Sequence, residues 1–148
     1  MKVTQDICLK FPTILKDKLL RSEIEFPDTT QFVYDKLLTY RAVTRTVEDN
    51  SEITLEDFKS YFELRKKPKN PRGVKNITTD PHYYGVSSFL KKEIVEQKMK
   101  FPNPKKKMAV GYVHSAGGPQ NTVDQHVCWW LYEGADISSF KLAKGEES

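Results

Sequence analysis

Apolar residues recur along the chain with two periods, which predict strands in some segments and helices in others. The longest apolar and aromatic run covers residues 126–132 and has glycine-containing turns on both sides, so it predicts a buried strand. Segments rich in β-branched and aromatic residues predict further strands at 6–11, 40–47 and 108–113, with a short edge strand within 137–142.

Apolar residues at helical spacing predict helices at 13–21, 31–38 and 54–64, and another that follows Ser87 or Ser88 as its N-cap. The clearest helix start is Thr54. Asp57 follows it by three residues, as in a capping box, and the residue before Thr54 is apolar.

Together these elements predict one α+β domain over residues 1–148, a mostly antiparallel sheet of four or five strands with helices packed on one face. The strands at 108–113 and 126–132 are expected to form a hairpin with a long tip. Trp129 and Trp130 must then face opposite ways, so that one lies in the core and a helix, a ligand or a second subunit covers the other. A homodimer interface at this point is a hypothesis.

The composition is that of a globular chain with one core. The 148 residues are 38% hydrophobic, enough to fold without disulfides or a structural metal. Cys8 and Cys128 lie in apolar runs, as buried reduced thiols do. The N-terminus lacks the apolar region of a signal peptide, and no run approaches the roughly 20 apolar residues that cross a bilayer. We therefore expect a cytoplasmic protein that does not enter a membrane.

Charge is unevenly distributed along the chain. Residues 59–107 contain 14 Lys or Arg against 4 Asp or Glu, whereas the other 99 residues contain 10 against 16. This separation favours a binding protein, without catalysis or cofactor, whose basic face contacts nucleic acid or an acidic protein surface. The face would combine basic loop residues with two tyrosines that stack on bases: Lys66, Lys67, Lys69, Arg72, Lys75, Lys105, Lys106, Lys107, Tyr83 and Tyr84.

A second hypothesis rests on Arg41 in a strand, Ser88 after an aromatic pair, and Glu133 after the last long strand. This order resembles the pattern of ADP-ribosyltransferases. The resemblance implies a small enzyme acting on a nucleotide or nicotinamide dinucleotide, in which Arg41 and Ser88 hold the ligand and Glu133 orients the ribose. The chain lacks the usual Ser-Thr-Ser of that family, and Ala135 stands where many members have a second Glu or Gln.

The histidines offer a third arrangement. A hairpin of 108–113 with 126–132 would bring His114 and His126 together at its open end, near Asp124 and Ser115. Such a group could act as acid and base. Its spacing matches no metal motif, so no metal site is predicted. The alternative is that both histidines only make hydrogen bonds at strand ends.

Overall fold

The computed structural model describes residues 3–64, 77–99 and 105–143. These residues form one α+β domain around a single antiparallel sheet. Its strands are β1 (Leu37–Thr44), β2 (Val86–Phe89), β3 (Lys106–Val113), β4 (Gln120–Val123), β5 (His126–Trp129) and β6 (Lys141–Leu142). The helices are α1 (Gln5–Cys8), α2 (Thr13–Leu20), α3 (Tyr61–Leu64) and α4 (Lys92–Met99). The spatial order is β4-β5-β2-β1-β3-β6, so the described sheet has six strands rather than the predicted four or five.

Both faces of the sheet are covered, and the core-cluster residues that belong to helices, from α1, α2 and α3, all lie on the side of Trp130. Trp129 and Trp130 are both buried and belong to different core clusters. We call these sides the Trp129 face and the Trp130 face. On the Trp130 face, α1, α2 and Phe26 of the same chain cover the tryptophan. The tryptophan pair therefore gives no reason to expect a dimer interface.

Two local predictions near the N-terminus are wrong. Residues 6–11 do not form a strand: Thr4 caps α1 by accepting a hydrogen bond from the backbone N–H of Ile7 at 3.3 Å. Residues 31–38 do not form a helix, because the backbone of Gln31 pairs with Gln120 in both directions, at 2.8 and 3.0 Å. By contrast, the helix predicted at 13–21 is confirmed as α2.

The predicted hairpin of 108–113 with 126–132 is also wrong, because β2 and β1 lie between β5 and β3. Instead β4 pairs with β5 through a two-residue turn in which Asp124 and Gln125 have φ of 49° and 71°. The glycine-rich segment before β4 is not a loop tip but lies buried beside the end of β5. A Cβ on Gly118 would lie 2.0 Å from the backbone oxygen of Trp130, so only glycine fits there.

The capping box at Thr54 and Asp57 is confirmed, but it starts a single 3₁₀ turn rather than a long helix. The chain then bends, and α3 follows as one short turn. Ser87 and Ser88 belong to β2 and cap no helix, since α4 begins only at Lys92. The strand predicted at 40–47 lies instead at 37–44, and the one at 126–132 ends at residue 129.

Two further features concern the whole described chain. Among the described residues, no helix combines the length and apolar character needed to cross a membrane.

Cys8 and Cys128 are both free and buried, and both lie in the core cluster of the Trp130 face.

Candidate functional site

The predicted basic face is described only in part. Five of its residues lie outside the described residues: Lys66, Lys67, Lys69, Arg72 and Lys75. Lys105 precedes β3, and Lys106 and Lys107 begin it, beside the end of β1. The ammonium of Lys107 donates to the backbone oxygen of Asp49 at 2.6 Å, and that of Lys106 donates to the hydroxyl of Thr44 at 3.0 Å. Lys106 and Lys107 are therefore engaged by their own neighbours.

The two tyrosines expected to stack on bases belong to an aromatic cluster. Tyr84 is only 6% exposed, and its hydroxyl donates to the backbone oxygen of Thr78 at 2.9 Å. The rings of Tyr83 and Tyr84 lie 5.9 and 5.1 Å from that of Phe62. Tyr84 is thus held inside the fold, and Tyr83 alone keeps partial exposure for stacking.

His114 and His126 lie on opposite faces of the sheet, so the histidine pair is not formed. Nε2 of His114 lies 2.7 Å from the backbone oxygen of Asp136, and its ring packs on that of Trp129. Nε2 of His126 lies 2.9 Å from Oγ of Ser87. The two histidines were expected to meet only because of the predicted hairpin, and that hairpin does not form. Within the described residues, no group of three His, Cys, Asp or Glu side chains is placed to hold a metal ion.

Arg41 and Ser88 do come together, on the Trp129 face of β1 and β2. The antiparallel register of these strands places them opposite each other. The guanidinium of Arg41 donates to the backbone oxygens of Ser87 and Asp57, the latter at 3.0 Å, and stacks 5.1 Å from the ring of Phe58. Nε of Arg41 and Oγ of Ser88 are buried without a hydrogen-bond partner. Buried polar groups are seldom left in this state.

Arg45 extends the same face and binds Asp57 through two parallel hydrogen bonds, at 2.7 and 2.8 Å. The two side chains are 8% and 10% exposed. Burial alone would raise the pKa of Asp57. However, the hydrogen bonds from Arg45 and from the backbone of Thr54, with the charges of both arginines, hold that pKa below its ordinary value. This bond also ties the capping box to the sheet.

Arg41, Arg45 and Asp57 form what we call the arginine cluster, with two guanidinium groups and one carboxylate. Because Arg45 occupies both oxygens of Asp57, Arg41 is held by backbone carbonyls and an aromatic ring. Burial lowers the pKa of Arg41 to about 10, and the attraction of Asp57 offsets only part of that effect. Among the described residues, one positive charge of the cluster is left without its own carboxylate.

A cleft of about 350 Å³ opens beside this region, within the size range of small-molecule sites. Phe58 and Val86 line it from the sheet side, and Phe58 also covers Arg41. Ile14 and Leu55 form apolar walls, each 46% exposed. The remaining described walls come from residues 12–15, the 55–63 segment, the residues before β2 and residues 131–134: Pro12, Thr13, Leu15, Glu56, Lys59, Ser60, Phe62, Glu63, Tyr84, Leu131, Tyr132, Glu133 and Gly134.

Glu133 lies at this cleft, one of three glutamates that line it with Glu56 and Glu63. Its backbone N–H donates to the oxygen of Lys10 at 2.8 Å, which fixes the turn. Lys59 is the one basic residue among the described lining residues, and its ammonium lies 3.6 Å from the carboxylate of Glu56. The described lining therefore has an excess of negative charge. Glu133 does not contact Arg41, but both border the wall that Phe58 forms.

A second cavity, of about 670 Å³, lies between residues 50–55 and 135–142. It is larger, but Phe140 is the one aromatic residue among its described walls. The smaller cleft has four aromatic walls and borders the arginine cluster. We therefore take the smaller cleft as the candidate site.

Comparison with protein-family models, with curated proteins and with solved structures gave no match. Any account of function therefore depends on the chain's own residues. The sequence singled out Arg41, Ser88 and Glu133 but missed Asp57 as a partner of the arginines. A signal was present: Arg41 and Arg45 share one strand face, and buried guanidinium groups need an acidic partner nearby.

Proposed function

We propose that the protein binds a small organic molecule in the cleft between α2 and the 55–63 segment. The observation that supports this most is the combination of exposed apolar walls with a partly polar lining. Ile14 and Leu55 expose apolar surface inside a concavity, where a ligand would cover it. Four aromatic residues line the same space, which suits a flat ring: Phe58, Phe62, Tyr84 and Tyr132.

The charge of the cleft lining indicates what charge the ring of a bound ligand should have. Glu56, Glu63 and Glu133 outnumber Lys59, so a cationic ring or a hydrogen-bond donor is favoured over an anion at this position. A nicotinamide ring is both flat and positively charged in its oxidised form. The ligand class implied by the resemblance, a nucleotide or nicotinamide dinucleotide, can therefore supply a ring that suits the cleft, and an enzymatic role for Glu133 on such a ligand is part of the proposal.

The test compares two ligands that differ in ring charge. We expect nicotinamide riboside to bind more tightly than its reduced, uncharged form in titration calorimetry. Glu133→Gln should weaken binding of the charged form about two- to fivefold, the value of a partly exposed charge pair. Glu48→Gln is the matched control, because Glu48 is exposed and lies outside the cleft. Equal affinity for both forms, or no binding of either, would contradict the proposal.

A second candidate function is the one favoured by the charge distribution, binding of nucleic acid or of an acidic protein surface. It is supported by the excess of Lys and Arg in residues 59–107 and by the position of Lys105 and Lys106 at one end of the sheet. Fluorescence anisotropy with a short single-stranded DNA should show affinity that falls steeply between about 50 and 200 mM salt. Neutralising residues 105–107 should reduce that slope, whereas Lys91→Gln with Lys92→Gln should not. If the salt dependence of the affinity does not change, residues 105–107 do not contribute to binding and this candidate function is excluded.

For either function we propose a reducing compartment such as the cytoplasm. Cys8 and Cys128 are free and buried, as thiols in such compartments are. Both should react with an alkylating reagent after denaturation without a reductant. A disulfide found under these conditions would contradict the proposed location.

A further inference from the structure

Two residues that face each other across β1 and β2 each have an unsatisfied polar atom. Nε of Arg41 and Oγ of Ser88 are both buried and have no hydrogen-bond partner. Ser88 as a whole is only 3% exposed. Neighbouring strands place the two residues opposite each other on the Trp129 face. Because each atom can donate a hydrogen bond, an acceptor placed between them would satisfy both.

The surrounding charge indicates what kind of acceptor this is. Both oxygens of Asp57 are bound by Arg45, so Arg41 lacks a carboxylate of its own within the described residues. An anion would balance this charge, and burial strengthens the attraction. The pKa of Arg41 is lowered to about 10 because the attraction of Asp57 does not fully offset the desolvation of the guanidinium. A water molecule would satisfy the hydrogen bonds but leave the charge unbalanced.

The site also has a route to the cleft. Phe58 stacks on the guanidinium of Arg41 and lines the cleft with its other side. Val86, two residues before Ser88 on the same strand face, lines the cleft as well. The ring of Phe58 therefore lies between the cleft and the guanidinium of Arg41, and it must move aside for a group to reach Arg41 from the cleft.

We propose that Arg41 and Ser88 form a subsite for one anionic oxygen group, a phosphate or a carboxylate, attached to the molecule that the cleft binds. In that ligand the cationic or donor-bearing ring lies among the glutamates and the anionic group lies behind Phe58. The attachment to a ring rests on the proposed function, whereas the affinity of the subsite for an anion does not.

The experiment uses the full chain and two ligands that differ by a phosphate, nicotinamide riboside and its mononucleotide. Wild-type protein should bind the mononucleotide about tenfold more tightly, as expected for charge-assisted hydrogen bonds. Ser88→Ala and Arg41→Gln should lose this advantage and keep the affinity for the riboside. Ser87→Ala is the matched control, because the Ser87 hydroxyl lies on the opposite face, against His126. It should keep the tenfold difference.

Inorganic phosphate alone separates the subsite from the cleft. It should raise the Tm of wild-type protein and of Ser87→Ala, and it should leave that of Ser88→Ala unchanged. If phosphate acts in this way while the riboside does not bind, the subsite stands and the proposed function fails. If the riboside binds but the mononucleotide gains nothing, or if Ser88→Ala responds like wild type, the two atoms hold only water and the proposal is overturned.

Discussion

The two faces of the sheet are packed by different chemistry. On the Trp130 face the tryptophan ring lies 4.6 Å from that of Phe26, and the indole N–H donates to the backbone oxygen of Pro81 at 2.8 Å. On the Trp129 face an apolar cluster adjoins two arginines and an aspartate. The apolar packing of the Trp130 face is explained by stability alone. The second contains buried charge that stability does not require.

Buried charge lowers the stability of a fold unless it is fully paired. Replacing a buried ion pair by well-packed apolar residues is often neutral or stabilising. An unsatisfied buried polar group costs about 1–3 kcal/mol. Arg41 and Ser88 each have such an atom. The Trp129 face therefore maintains an arrangement that weakens the fold, which is why we place the proposed subsite of Arg41 and Ser88 there.

The largest expected effect comes from the Trp130 face. Trp130→Ala should reduce the free energy of unfolding by about 3–5 kcal/mol, because it leaves a large cavity among aromatic rings. Urea denaturation followed by circular dichroism measures this loss. Trp130→Phe, which keeps most of the volume, is the control and should cost much less. A loss below about 1 kcal/mol for the alanine variant would mean that this face is not a packed core.

The next largest effect should come from the arginine cluster. Asp57→Asn removes the carboxylate of the arginine cluster, which attracts both guanidinium groups, and should cost about 3 kcal/mol. The same denaturation measurement applies. Asp49→Asn is the control, since Asp49 lies near the same arginine but at the surface, and it should change stability by less than about 0.5 kcal/mol. Equal losses of stability for both variants would show that Asp57 has no special role.

Acid should produce a smaller effect with a defined sign. The pKa of Asp57 in the folded protein lies below its ordinary value of 3.8, so folding favours the charged form. The resulting stability is complete above pH 3.8 and is lost as the pH falls through the lower folded pKa. Denaturation curves from pH 6 down to pH 2 should show a decline that is shallower in Asp57→Asn. Parallel declines would show that other carboxylates account for the acid sensitivity.

The sequence correctly predicted features that depend on residues close together in the chain. The alternation in 40–47 correctly placed Arg41, Val43 and Arg45 on one face, and the capping box formed at Thr54. What it predicted badly depended on which strands become neighbours. The segment after β3 crosses the sheet to form β4, where its backbone pairs with β5 and with Gln31.

The candidate site shows the same limit. Arg41 and Ser88 were chosen as residue types, but their adjacency depends on the pairing of β1 with β2, which no local pattern encodes. The cleft was not predicted, because its walls come from four segments far apart in the chain. Asp57 was recognised only as a cap. Its second role, as partner of Arg45, appears when the 55–58 turn packs on the sheet.

The smallest expected effect compares adjacent residues on opposite faces. Ser87→Ala should cost about 1 kcal/mol, because its hydroxyl makes a 2.9 Å hydrogen bond with His126. Ser88→Ala, measured without added anion, should be neutral or slightly stabilising, because no hydrogen bond is lost and an unsatisfied buried hydroxyl is removed. Paired denaturation curves at one pH resolve the difference. If Ser88→Ala costs as much as Ser87→Ala, the Ser88 hydroxyl has a stabilising partner in solution, and the contrast between the two faces would not extend to this residue.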